Sequence, residues 1–126
     1  MRRRLGRARV TAAPSPGVAT RSQPGPLAVA AAGVVTASLA APWALGFAVG
    51  AAVAGHVAFA MVVAPIALLA EALPGAAYVT GLAGAWLAVS PWAVGYASTG
   101  VAAWSADLAA GLVLVAVSRL AVRRGS

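Results

Sequence analysis

A long stretch of the chain without charge constrains this sequence most strongly. No charged residue lies between Ser22 and Ala70, and residues 71–118 contain only Glu71 and Asp107 as charged side chains. Charged residues make up 9% of the 126 residues, whereas a soluble domain has about 25%. Helices that are apolar on every side lack a water-facing surface, so the sequence excludes an ordinary soluble globular protein.

The apolar region is long enough for four membrane-spanning helices. One crossing requires about 20 apolar residues, and Gly, Pro, Ser and Thr residues near positions 50, 74 and 99 divide the region. The resulting predicted spans are 27–47, 52–73, 76–97 and 101–122. Strands of a membrane β-barrel would alternate polar and apolar residues, which these segments do not. The predicted fold class is therefore an all-α membrane protein with four transmembrane helices.

The basic residues lie at the two ends of the chain and predict its topology. They are Arg2, Arg3, Arg4, Arg7, Arg9, Arg21, Arg119, Arg123 and Arg124. Arg-rich flanks stay in the cytoplasm, so we expect both termini to be cytoplasmic, which agrees with an even number of spans in the cytoplasmic (inner) membrane. These ends should attract anionic lipid. A transit peptide within residues 1–25 and a protein-docking arm stay open as alternatives, whereas nucleic-acid binding is disfavoured because no aromatic residues interleave with the Arg residues.

Two segments of the chain resemble each other at a spacing of 49 residues. The shared motif consists of Pro42, Trp43 and Gly46 in the first copy and Ser90, Pro91, Trp92 and Gly95 in the second. Beyond the motif, a spacing of 51 residues aligns His56 with Asp107. The sequence thus predicts two tandem two-helix repeats at 26–73 and 74–122, between a disordered Arg-rich tail at 1–25 and a basic tail at 123–126.

This repeated motif resembles the SPW-repeat family of small bacterial integral membrane proteins. The family's repeat carries Ser-Pro-Trp in the first of two transmembrane helices, and the second copy here, residues 84–96 followed by Trp104 to Asp107, fits it best. The first copy departs from the pattern because Ala41 replaces the serine and His56 stands where a small polar residue is expected. The resemblance covers about residues 27–118 and implies a membrane location and a repeat, but no activity.

His56 and Asp107 form the candidate intramembrane polar pair. Ionisable groups within spans usually face the bundle interior, and two repeats of the same direction are related by an axis along the membrane normal. Equivalent residues then approach each other at that axis, which predicts a hydrogen-bonded pair in the outer part of the bundle. The alternative is that the two side chains reach the headgroups separately.

The proline and tryptophan residues of the motif have a structural interpretation. Pro42 and Pro91 each remove a backbone donor. The hydroxyls of Ser38 and Ser90 are candidates to donate hydrogen bonds to nearby carbonyl groups and so to stabilise a bend. Trp43 and Trp92 are expected to anchor the outer membrane interface. Glu71 is expected at the cytoplasmic end of the second span, either solvated or paired with arginine.

No residue pattern in the sequence indicates catalysis or a cofactor. The chain has no cysteine, one histidine and two acids, whereas zinc requires three or four protein ligands, so we expect no catalytic residue, no metal and no cofactor. The first functional hypothesis is a non-enzymatic structural or interaction protein, as a homo-oligomer or with a membrane-protein partner. The second is a small transporter or channel component that uses His56 and Asp107.

Overall fold

The computed structural model describes residues 23–46, 48 and 50–125, and four α-helices account for most of them. The helices are α1 (Pro26–Ala44), α2 (Gly50–Ala67), α3 (Pro74–Val94) and α4 (Val101–Gly125), with a 3-10 turn at Ala97–Thr99. Each helix is long and apolar enough to cross a membrane. The prediction of an all-α chain with four candidate transmembrane helices is confirmed. Residues 1–22, with the six N-terminal Arg residues of the predicted tail, lie outside the described residues.

The helix ends differ from the predicted ones for local reasons. The first and third helices end three residues early because Gly46 and Gly95 adopt positive φ angles of 76° and 91°, the left-handed conformation that commonly terminates a helix. The second helix ends at Ala67 and not at residue 73, since a turn begins there. The fourth continues to Gly125, so Arg123 and Arg124 belong to its last turn and not to a separate tail. Cations there interact favourably with the helix dipole.

The four helices form a ring in which α1 contacts α2 and α4, and α3 contacts the same two helices. Helices α2 and α4 therefore lie diagonally opposite each other. We call the end where α1 and α3 begin and α2 and α4 finish the basic end, because it carries Arg119, Arg123 and Arg124. The centre of the ring is apolar and contains Val35, Val63, Leu87 and Leu114.

The contact between α3 and α4 is the most extensive in the ring, and two glycines explain it. A Cβ atom built on Gly84 would lie 2.7 Å from the backbone oxygen of Gly111, and one on Gly111 would overlap the backbone oxygen of Gly84. The two backbones thus touch directly, which only glycine permits at these positions. The first helix pair has Val35 and Ala60 at the corresponding places.

The buried positions of the two helix pairs coincide at the spacings of the sequence motif. In α1 they are Ala28, Ala31, Val35, Ser38 and Pro42, and in α3 the residues 49 positions later, Ala77, Thr80, Gly84, Leu87 and Pro91, are buried as well. In α2 they are Ala52, His56, Ala60, Val63 and Ala67, and in α4 their partners 51 positions later are Ala103, Asp107, Gly111, Leu114 and Ser118. Two copies of one helix pair would produce this pattern of burial.

Candidate functional site

The structure brings together His56 and Asp107, the two residues of the candidate polar pair. Each is the seventh residue of its helix, roughly 9 Å along the axis from the helix start, at the end of the bundle opposite the basic end. His56 Nε2 lies 3.0 Å from Asp107 Oδ1, and the two side chains are 3% and 1% exposed. Because α2 and α4 are diagonal partners, this contact crosses the centre of the ring.

Two further side chains complete a buried polar network. The Tyr96 hydroxyl donates to Asp107 Oδ2 at 2.5 Å, and Ser90 Oγ lies 2.8 Å from the same hydroxyl. Both residues are buried. We call the four side chains of His56, Ser90, Tyr96 and Asp107 the polar network. The first helix pair supplies only the histidine, and the second pair with its connecting segment supplies the other three.

Donor and acceptor roles within the polar network follow from its geometry. His56 Nδ1 lies 2.8 Å from the carbonyl oxygen of Ala52, and since a carbonyl only accepts, Nδ1 carries a proton. Nε2 then meets Asp107 Oδ1 with one proton between them. Either a cationic His56 donates to a carboxylate, or a protonated Asp107 donates to a neutral imidazole. Both arrangements leave the pair without net charge, which lowers the cost of its burial.

Tyr96 is the donor to Asp107 because its hydroxyl keeps its proton. The residue lies in the segment between α3 and α4, outside the helices. Burial raises the pKa of the Tyr96 hydroxyl above its ordinary value, and the hydrogen bond to Asp107 raises it further. A neutral phenol thus donates a hydrogen bond to the second oxygen of the Asp107 carboxyl group.

The structure provides a physical reason for the serine that precedes Pro91 in the second copy of the motif. Pro91 has no N–H group, so the carbonyl four residues earlier, that of Leu87, loses its helical donor. Ser90 Oγ lies 2.9 Å from the Leu87 oxygen and 2.8 Å from the Tyr96 hydroxyl. Because the Tyr96 proton goes to Asp107, the single Ser90 proton is shared between these two acceptors. When it points to Leu87, the serine replaces the donor that the adjacent proline removes, in a region where water is scarce. In the first copy Ala41 precedes Pro42 and has no hydroxyl, while Ser38 donates to Val34.

Two cavities border the polar network from opposite sides of the ring. One of about 80 Å³ lies between α2 and α3 and is lined by His56, Ser90 and Tyr96. The other, of about 230 Å³, is an open groove on the outer surface between α1 and α4, beside Ser38 and Asp107. A water molecule requires about 10–15 Å³ of such space, so the cavity between α2 and α3 has room for several. Both lie at the level of the polar network and do not extend along the bundle to the basic end.

The other predicted residues occupy separate places. Trp43 and Trp92 are more than half exposed near the ends of α1 and α3, and the Trp92 ring lies 6.0 Å from that of Trp104. Pro42 and Pro91 are buried within their helices. The arginines of α4 lie at the basic end, far from the polar network.

Glu71 has a role that the sequence did not reveal. Its Oε2 atom accepts a hydrogen bond of 3.0 Å from the backbone nitrogen of Ala28, in the first turn of α1. A carboxylate at a helix N-terminus satisfies a free donor and interacts favourably with the helix dipole. Gly25 allows this approach, because a Cβ atom there would overlap the carboxylate. Glu71 thus joins the turn after α2 to the start of α1.

Tyr96 is the member of the polar network that sequence reasoning missed. It ends the second copy of the motif as Phe47 ends the first, and the hydroxyl that distinguishes the two was the available signal. Within the described ranges, no three His, Cys, Asp or Glu side chains cluster as metal ligands.

Comparison with protein-family models, curated proteins and solved structures finds no match to this chain. The resemblance to the SPW-repeat family therefore stays a prediction, and functional inference depends on the geometry of the bundle.

Proposed function

We propose that this chain is a non-enzymatic structural or interaction protein of the cytoplasmic membrane, with both termini in the cytoplasm. The polar network joins its two helix pairs. Hydrogen bonds between helices stabilise membrane bundles by about 0.6–2 kcal/mol each. A contact between diagonal helices also specifies which helices lie opposite each other.

One observation carries this proposal, namely the apolar core between the polar network and the basic end. Val63 and Leu114 follow His56 and Asp107 by seven residues on the same helices and are buried. Val35 and Leu87 meet them from α1 and α3. A polar substrate moving along the bundle would have to cross this layer, so the arrangement supports a packed protein more than a transport path.

The proposal includes the two-helix repeat and the SPW-repeat resemblance. Coincident burial at spacings of 49 and 51 residues supports two units of common architecture, and the pairing of His56 with Asp107 is the contact expected at their axis. Homo-oligomerisation or binding to another membrane protein would give such a scaffold its biological role.

The cavities beside the polar network favour a second candidate function, a small transporter or channel component. His56 and Asp107 could pass a proton between the two cavities, which flank the pair. Because both cavities lie at one level of the membrane, this candidate also requires a water path through the apolar core.

Cysteine labelling distinguishes the two functions, since the chain contains no native cysteine. Single variants Ser98→Cys, Gly75→Cys and Leu114→Cys would be treated with a membrane-impermeant maleimide in intact cells and in opened membranes. We expect Ser98→Cys to react in intact cells and Gly75→Cys only in opened membranes. Leu114→Cys should react only after denaturation in sodium dodecyl sulfate. Val63→Cys provides a second cysteine in the apolar core, on α2, and is expected to behave like Leu114→Cys.

Each result has a defined meaning. Reaction of both core cysteines in native membranes would reveal a water path and favour the transporter. Reaction of Gly75→Cys in intact cells would show that the proposed orientation is inverted. Labelling after denaturation reports the total protein and controls for expression.

A further inference from the structure

A groove between α3 and α4 opens at the basic end. Its volume is about 460 Å³, within the range of about 300–1,000 Å³ typical of ligand pockets. Tyr78, Leu82 and Ala85 line it from α3, and Val115, Arg119 and Arg123 line it from α4. It lies on the outer surface of the bundle, away from the polar network.

The groove has positive charge in the half nearest the basic end and apolar side chains in the other half. Arg119 and Arg123 are one helical turn apart and therefore lie on the same face of α4. Within the described part of the chain neither forms an ion pair, and the nearby acid Glu71 accepts a hydrogen bond from Ala28. From Arg123 to Val115 the groove extends roughly 12 Å at the helical rise, with Ser118 and Arg119 near its midpoint, so its apolar part is the roughly 6 Å beyond Arg119.

We propose that this groove binds one anionic phospholipid. Its phosphate contacts Arg119 and Arg123, the Tyr78 hydroxyl donates to a headgroup oxygen, and one acyl chain lies along Leu82, Ala85 and Val115. Arg is suited to phosphate because its planar guanidinium donates two parallel hydrogen bonds. A tyrosine at headgroup depth agrees with the preference of this residue for the membrane interface.

Two features favour a lipid over other anions. The charged and apolar parts of the groove are arranged end to end, as they are in a phospholipid, whereas a free phosphate would leave the apolar walls without a partner. The basic end also lies on the side proposed to be cytoplasmic, where anionic lipids are enriched. This inference depends on the membrane location in the proposed function, but not on the polar network.

Native mass spectrometry of the full-length protein tests the site. The protein would be presented with equal amounts of phosphatidylglycerol and phosphatidylcholine of the same acyl chains. We expect the protein to retain one phosphatidylglycerol molecule in preference to phosphatidylcholine. Arg119→Gln and Arg123→Gln should each weaken retention by about fivefold.

Arg124→Gln provides the matched control, because Arg124 is on the same helix turn, has the same charge and does not line the groove. We expect it to keep the wild-type retention. Ala85→Leu keeps every charge and fills the apolar part of the groove, so it should also reduce retention. The helical content of each variant, measured by circular dichroism, verifies that it is folded.

Three results would overturn the proposal. Equal retention of the two lipids would exclude an anion site. An equal loss in Arg124→Gln would mean general attraction to the basic end. Displacement of the lipid by an equal concentration of inorganic phosphate would identify a free-anion site. None of these results affects the maleimide labelling that tests the proposed function, so the two failures are distinguishable.

Discussion

At the scale of single residues, Asp107 is central to the polar network because its two oxygens take part in two different hydrogen bonds. Oδ1 meets His56 Nε2 and Oδ2 accepts from Tyr96. Because Nδ1 of His56 donates to the Ala52 carbonyl, the other ring nitrogen of a neutral His56 can accept a hydrogen bond from a donor at position 107. This geometry indicates which substitutions the polar network tolerates.

Asp107→Asn should be tolerated, whereas Asp107→Leu should not. The asparagine amide can donate to a neutral His56 while its oxygen accepts from Tyr96, so both hydrogen bonds remain. Leucine leaves His56 and Tyr96 buried without this partner, and we expect a loss of about 2–4 kcal/mol in the free energy of unfolding. Unfolding in mixed micelles with sodium dodecyl sulfate measures both variants. Equal destabilisation by Asn and Leu would contradict the assigned proton positions.

Tyr96→Phe should lower the free energy of unfolding by about 1–3 kcal/mol, because Asp107 Oδ2 loses its donor in a buried place. The matched control is Tyr78→Phe, which removes the same hydroxyl from an exposed side chain. We expect the control to change stability by no more than about 0.5 kcal/mol. A Tyr96 variant as stable as its control would show that the phenol is not part of the polar network.

The sequence predicted some of these residues and not others, for physical reasons. His56 and Asp107 stand out because ionisable side chains are rare within apolar spans, and the repeat spacing aligns them. Tyr96 differs from Phe47 of the first copy by its hydroxyl, but the direction of its side chain depends on the backbone after Gly95 and not on any periodic pattern, so this signal does not identify its partner. Glu71 was placed at the correct end of its span, but its partner is a backbone nitrogen, which has no signature in the sequence.

At the scale of elements, the second helix pair is held more closely than the first. Gly84 and Gly111 allow α3 and α4 to meet backbone to backbone, whereas Val35 and Ala60 occupy these places in α1 and α2. The apolar runs predicted the four helices, since in a membrane only a helix or a closed barrel satisfies all backbone groups. The close contact was not predicted, because an Ala- and Gly-rich sequence offers many stripes of small residues.

Gly84→Ala should destabilise the bundle by about 1–3 kcal/mol, because the added methyl group would overlap the backbone of α4 and the Leu114 side chain. Gly33→Ala is the control, since a Cβ atom at that helical position meets nothing within 4 Å. It should be neutral or stabilising by up to about 1 kcal/mol. Thermal unfolding followed by circular dichroism measures both changes. Equal effects of the two substitutions would mean that the backbones of α3 and α4 do not touch at Gly84.

At the scale of the whole molecule, the ring of four helices has a polar network near one end and an apolar core between that network and the basic end. The helix contacts place α2 and α4 diagonally, and the hydrogen bond between His56 and Asp107 joins these two helices across the ring. One contact across the centre of the ring therefore defines the arrangement of the four helices.

That contact can be measured without resonance assignment, because His56 is the only histidine and Asp107 the only aspartate of the chain. The protein would be labelled with ¹⁵N-histidine and with aspartate carrying ¹³C at the carboxyl carbon, placed in lipid bilayers and studied by solid-state dipolar recoupling. We predict a measurable coupling between one imidazole nitrogen and the carboxyl carbon, as for a direct hydrogen bond. Absence of coupling in the unmodified protein would place the two side chains apart and contradict the account.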